Sequence, residues 1–325
     1  MPATSKTSAQ FIALASGKGG VGKTLISLGI GWSLTRLGHR VVIVDLDFGV
    51  GNLQISAGLG KVAHSLDEFV RGTTQDLNTL LSPVPNNDKL WIVSSAGRRS
   101  SATHLAPERR GDLIEQLRRL NANLVVLDLG AGCSRETIDY FQAAEHRVVV
   151  ATADLASMTA LTAFLKKALI RGLIDDLISA DPGLAFLAER EFTHVGEIYG
   201  KVEREKGGAW CDAHVRAAIR RFRPAVLLNR AGDADQAPAQ RIRRNLERQF
   251  NVETKIIGRI PEDEAVTRCR RSGRNVFYAE PGSAFAKATA ACANYWHENY
   301  YLKSALTAAE PEDAKAASMG ELKYA

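Results

Sequence analysis

Apolar residues along this chain come in short unbroken runs separated by longer stretches of mixed polarity. Phe11-Ile-Ala-Leu-Ala15, Val41-Val-Ile-Val44 and Leu124-Val-Val-Leu127 are the clearest. Runs of four or five apolar residues, rich in β-branched side chains and without polar alternation, predict strands buried on both faces. The same pattern predicts strands near 11–15, 41–45, 90–94, 124–128, 147–152, 224–229 and 255–260, with helical segments between them. Thr24 to Arg36 reads as one such helix. Strands alternating with helices specify an α/β fold: a doubly wound, mostly parallel sheet flanked by helices. A length of 325 residues is compatible with two domains, yet no Pro/Ser/Gly-rich linker interrupts the alternation, so a single domain is expected. Its predicted span is 11–306, with a polar, mostly helical insert at about 173–223. Residues 1–10 read as a disordered lead and the Ala-rich, acid-bearing segment 307–325 as a disordered tail.

Between the first strand and the first helix stands Gly17-Lys-Gly-Gly-Val-Gly-Lys-Thr24, which satisfies G-x-x-x-x-G-K-[ST]. In such a loop the backbone N–H groups of Gly17, Lys18, Gly19, Gly20, Val21 and Gly22 wrap a polyphosphate. Lys23 meets the β- and γ-phosphates, and the Thr24 hydroxyl faces Mg²⁺. The helix that follows adds the positive field of its N-terminus. Carboxylates stand at the C-terminal ends of two predicted strands, where open α/β sheets bind ligands: Asp45 and Asp47 after the second, Asp128 after the fourth. An acid at a strand tip opposite a phosphate loop holds Mg²⁺, usually through water, which suits Asp128. Gly130-Ala-Gly132 after it is flexible enough to switch when a γ-phosphate leaves.

Lys18, the second lysine of the loop, makes Lys18-Gly-Gly-Val-Gly-Lys-Thr24 resemble the deviant loop of the MinD/ParA ATPases. Asp45-Leu-Asp-Phe-Gly-Val-Gly-Asn-Leu53 is similar to the D-x-D-x-G-x-x-N-L segment of the MinD and flagellar-number (FlhG/FleN) branch. The resemblance implies a P-loop NTPase fold of the SIMIBI type, with ATP and Mg²⁺ as cofactors and slow, partner-stimulated hydrolysis. It implies an ATP-bridged homodimer in which Lys18 reaches the partner subunit's phosphates, as an arginine finger does. Asp47 would orient the attacking water and Asp45 would support the metal region beside Thr24 and Asp128. Pro224-Ala-Val-Leu-Leu-Asn-Arg230 lacks the aspartate of a guanine-reading Asn-Lys-x-Asp and resembles the segment whose asparagine contacts adenine, here Asn229 with Arg230 beside it. Gly258-Arg-Ile-Pro-Glu-Asp263 matches the family's Gly-x-Ile-Pro-x-Asp, whose backbone around Pro261 and Asp263 packs on the base.

Composition leaves the surface that such a dimer would read open. The net charge is +6, and arginines cluster at 216–223, at 241–248 (Arg241, Arg243, Arg244, Arg248) and at 268–274 (Arg268, Arg270, Arg271, Arg274). These clusters suit either non-specific DNA or solvated helix faces. No run of 18 apolar residues occurs, and no signal peptide is seen, so a cytoplasmic location is expected, peripheral to the inner membrane or nucleoid at most. Asn294-Tyr-Trp-His-Glu-Asn-Tyr-Tyr-Leu-Lys303 departs from the basic amphipathic C-terminal helix of MinD-type proteins, so its aromatics are expected to pack on the domain. Residues 1–10 lack the motif by which flagellar-number ATPases engage their GTPase partner.

The four cysteines, 133, 211, 269 and 292, form no C-x-x-C pair, which fits a reducing compartment and speaks against a structural zinc site. Cys133 has no companion positioned to bridge an iron–sulfur cluster between subunits. The reading is therefore an ATP-switched dimer with an activating protein partner, serving spatial positioning or number control of a flagellum, division site or DNA cargo. A regulator that sequesters a transcription factor, or a cluster-transfer or metabolic ATPase on the same fold, stands as the alternative.

Overall fold

A computed structural model describes residues 8–48, 51–95, 105–232, 240, 244, 247–248, 252 and 254–301. Residues 1–7 of the expected lead, the whole of the expected tail over 307–325, and Arg241 and Arg243 lie outside the described residues.

The sheet has eight strands: β1 (Gln10–Ser16), β2 (Val41–Leu46), β3 (Ser82–Pro83), β4 (Leu90–Val93), β5 (Leu124–Ala131), β6 (His146–Thr152), β7 (Ala225–Asn229) and β8 (Lys255–Ile260). Their order is β3-β4-β2-β5-β1-β6-β7-β8, all parallel except the two-residue β3 at one edge. β1 is therefore central. The chain leaves it in one direction for β2 and later crosses to its other side for β6, which opens a crevice above its C-terminal end.

Alternate residues of each central strand feed opposite layers, which is why the runs carry no polar positions. Phe11, Ala13, Val42, Val44, Val125 and Leu127 join one buried cluster, while Ile12, Leu14, Val41, Ile43, Leu124 and Val126 join another. Helices α1 (Lys23–Arg36) and, near the C-terminus, Ala284–Trp296 contribute to the second layer. In between, α2 (Leu53–Ser56), α3 (Asp67–Val70), α4 (Pro107–Arg118), α5 (Arg135–Gln142) and α6 (Leu155–Ala180) follow in order. Trp296 is buried and meets His146 edge-on, with ring centroids 4.8 Å apart, so the aromatic C-terminal stretch packs on the domain.

The polar insert is a satellite rather than part of either layer. Helices α7 (Val195–Lys206) and α8 (Gly208–Arg221) pack Ile198, Val202, Cys211 and Val215 against Leu173, Ile174 and Leu177 of α6. The 26-residue α6 thus begins over the sheet and ends inside a third, separate core.

Candidate functional site

β1 ends at Ser16 and α1 begins at Lys23, so six residues turn above the centre of the sheet. Two of their glycines are dictated by geometry. A Cβ on Gly17 would lie 2.2 Å from the Ala160 carbonyl of α6, so the loop can pass that helix only without a side chain. Gly22 has φ +89°, and a Cβ there would meet Asn229 Nδ2 at 2.3 Å. Asn229, buried at the end of β7, donates through that nitrogen to the Val21 carbonyl at 2.7 Å and so braces the loop. α1 has no side-chain cap and no acid in its first turn, leaving its terminal N–H groups and positive dipole end for an anion.

Lys23 Nζ is buried 2.6 Å from Asp128 Oδ1, and Ser27 Oγ lies 3.0 Å from the same oxygen. Asp128 Oδ2 is buried without a hydrogen-bond partner. A buried carboxylate oxygen in that condition is costly unless a cation or its water meets it, so Asp128 fits a divalent-ion site. Thr24, in the same helix turn as Lys23, lines the pocket. Asp45 is the register partner of Asp128 on the neighbouring strand. Burial first, and the charge of Asp128 second, push its carboxyl up to about 7, partly offset by the Asp47 N–H and the Ser95 hydroxyl. Asp47, half-buried, is also raised by burial, while Lys23 draws it down.

A pocket of about 620 Å³ runs outward from the loop. Gly19 to Thr24, Asp47, Asn229, Arg230, Pro261 to Asp263 and residues of α9 (Glu264–Arg271), the helix after β8, all line it. Residues widely separated in sequence are thus brought together. Gly17, Lys18, Asp45 and Asp128 do not line it; Asp128 contacts Lys23, which does, and Asp45 is its register partner on the next strand. Arg230 takes a left-handed conformation, φ +52°, at the wall. Asp263 caps α9 by accepting from Ala265 N and also accepts from Phe285 N, both at 2.9 Å; the Phe285 bond foremost holds its carboxyl low.

Lys18 folds back on its own subunit and pairs with Asp154 at 3.0 Å. Asp154 caps α6 and accepts from Thr152 and Ser157, contacts that keep it firmly ionised. Sequence reasoning missed Asp154 and Ser27. The signal for the first is D-x-x-S at the start of an apolar helix, and for the second its position one turn after Lys23 on α1. Of the arginine clusters, Arg216 pairs with Asp212, Arg221 with Asp176, and Arg268 with Glu264 and Glu280. Cys133 is half-buried and its thiol raised; no group of three His, Cys, Asp or Glu among the described residues is placed to hold a metal ion.

The sequence from 12 to 276 matches the CobQ/CobB/MinD/ParA nucleotide binding domain. The chain belongs to that family. Among members, it is 31% identical over 150 residues to the septum site-determining protein MinD of Bacillus subtilis, covering 46% of this chain and 55% of that one. It is likewise 31% identical over 159 residues to the antiactivator FleN of Pseudomonas aeruginosa, covering 48% and 55%. The chain spans about half the length of these curated relatives. The MinD of Pyrococcus horikoshii, solved with Mg-ADP, superposes with a TM-score of 0.60 at 18% identity over 88% of this chain and 94% of that one. A ParA family ATPase from Chlorobium tepidum gives 0.60 over 89% and 99%, so the family fold extends through nearly the whole chain. Among the described residues, no helix is long and apolar enough to cross a membrane.

Proposed function

We propose that this family member binds ATP with Mg²⁺ in the 620 Å³ pocket and hydrolyses it slowly as a nucleotide-bridged dimer. The observation that carries the reading is the Lys23–Asp128 contact at the floor of a glycine loop, beside an uncapped helix N-terminus. Triphosphate oxygens would take the Lys23 ammonium and the N–H groups from Gly19 to Thr24. Asp128, Thr24 and, behind them, Asp45 would hold the metal ion, which would supply positive charge to the phosphates. Asp47 would orient water so that its oxygen attacks the γ-phosphorus as the β–γ bridging P–O bond breaks, releasing ADP and phosphate. Asn229, Arg230, Pro261 and Asp263 would frame the base. Lys18 would leave Asp154 and place its charge on the partner subunit's nucleotide, so that dimer formation and bond cleavage share one lysine.

The relatives named for septum placement and for flagellar antiactivation support a positioning or number-control role, in which the ATP dimer is read by a surface or protein and hydrolysis, stimulated by a partner, ends the signal. Sedimentation velocity with Mg-ATP tests the reading. Asp47→Ala should bind ATP and accumulate as dimer, while Lys18→Ala should bind ATP and stay monomeric. A chain that binds no ATP, or an Asp47→Ala protein that stays monomeric with ATP bound, would overturn it. Co-sedimentation of the trapped dimer with anionic liposomes or plasmid DNA then separates membrane, DNA and protein readers.

A further inference from the structure

Besides the lysine of the glycine loop, the pocket is lined by three arginines, Arg230, Arg270 and Arg274. α9 contributes Val266, Thr267, Cys269 and Arg270 to the lining, and Gly273, at φ +65°, follows its last turn. The turn closes through Ser272 N to Arg268 O at 3.2 Å and Arg274 N to Cys269 O at 3.0 Å, folding the chain back so that Arg274 joins Arg270 on the pocket wall. Arg230, whose backbone is left-handed, is the third arginine in the lining, and all three are exposed.

Among the described residues no carboxylate pairs with them: Glu262, exposed in the same lining, makes no ion pair with any of the three. Asp263 is committed to two backbone N–H groups, and Arg268 on the outer side of α9 takes both Glu264 and Glu280. Among the described residues Arg270 and Arg230 make no ion pair, and the Arg274 guanidinium donates to Ser272 Oγ at 3.2 Å and to no carboxylate. The dipole of α9 favours cations at its C-terminal end, but that field accounts equally for Arg271 and says nothing of why Arg270, Arg274 and Arg230 border one cavity. Arginine forks at a pocket wall match phosphate oxygens.

We infer that the site takes an adenine nucleotide bearing a second phosphate on its ribose, at the 2′- or 3′-oxygen, held by Arg270, Arg274 and Arg230. The inference rests on the proposed seating of the triphosphate at Lys23, which directs the nucleoside toward α9. A ribose-phosphorylated adenine nucleotide is then an effector that competes with ATP for the switch.

Titration calorimetry on the full chain tests this with adenosine 5′-monophosphate, adenosine 3′,5′-bisphosphate and adenosine 2′,5′-bisphosphate, with ATP as a reference. One bisphosphate should bind at least about tenfold more tightly than the monophosphate. The isomer that gains identifies the esterified oxygen. Arg270→Ala with Arg274→Ala should erase that gain while ATP affinity stays within about threefold. If both bisphosphates bind no better than the monophosphate while ATP binds, the inference fails and the ATP reading stands. If the arginine variant weakens ATP as much as the bisphosphate, the arginines read the base or triphosphate and the inference also fails. If ATP itself does not bind, the proposed function falls first and this goes with it.

Discussion

Asp45 and Asp128 stand side by side in register on adjacent parallel strands, yet only Asp128 has Lys23 at contact distance. Two buried carboxylates sharing one near cation cannot both ionise cheaply, and the strain falls on Asp45. Replacing Asp45 by Asn keeps the shape and removes one charge. The nucleotide-free protein should therefore become more stable at pH 8, on the order of 1–2 kcal/mol, while losing Mg²⁺-supported turnover. Urea denaturation without metal or nucleotide, alongside a phosphate-release assay, checks both halves. A destabilised variant would show that the pair is not under electrostatic strain.

Asp128→Ala should do the reverse. It strands the Lys23 ammonium in a buried site, at a cost of about 3–5 kcal/mol. Lys23→Met in the same background should recover much of that loss, because the orphaned charge goes with it, though without nucleotide binding. A double-mutant cycle by denaturation measures the coupling.

Gly17→Ala should disable the loop although it changes one methyl group. The added carbon meets the Ala160 backbone, so α6 or the loop must give way, costing about 1–3 kcal/mol and most of the nucleotide affinity. Gly111→Ala, in α4 with open space around it, is the control and should stabilise the protein by up to about 1 kcal/mol. Thermal melts and nucleotide titrations distinguish them.

Acid should weaken the fold through histidines held neutral. Burial pushes His146 down to about 4, from an unfolded value near 6.5. Between those two values the unfolded chain takes a proton that the native state refuses, so stability is full above about 6.5 and falls as pH drops toward 4. The loss is at most about 3 kcal/mol. His39, lowered by burial and by His297 3.0 Å away, acts in the same direction. In His146→Phe the drop between pH 6.5 and 4 should shrink; an unchanged profile would remove His146 as its source.

The central strands were legible because burial on both faces leaves nothing but apolar residues to write, and 255–260 coincides with β8. β3 was not, since two residues ending in Pro83 pair at an edge and carry no periodicity. The phosphate loop and its acids were legible as spacing, and the pocket brings Asp47, Asn229 and Pro261 together around it. Partnerships were not. Nothing in the order of residues says that Lys18 meets Asp154, or that Asn229 hydrogen-bonds Val21, because each depends on a crossover joining points more than a hundred residues apart. The expected insert at about 173–223 holds α7 and α8, and its start falls inside α6, since one uninterrupted helix serves both the sheet and the satellite core.

That continuity turns α6 into a lever. At about 1.5 Å per residue its length is about 39 Å, with the Lys18–Asp154 contact at one end and the α7–α8 lobe at the other. Were Lys18 to leave Asp154 and α6 to tilt by about 5° about that end, the distant lobe would swing by about 3 Å, a displacement wide enough for another molecule to feel.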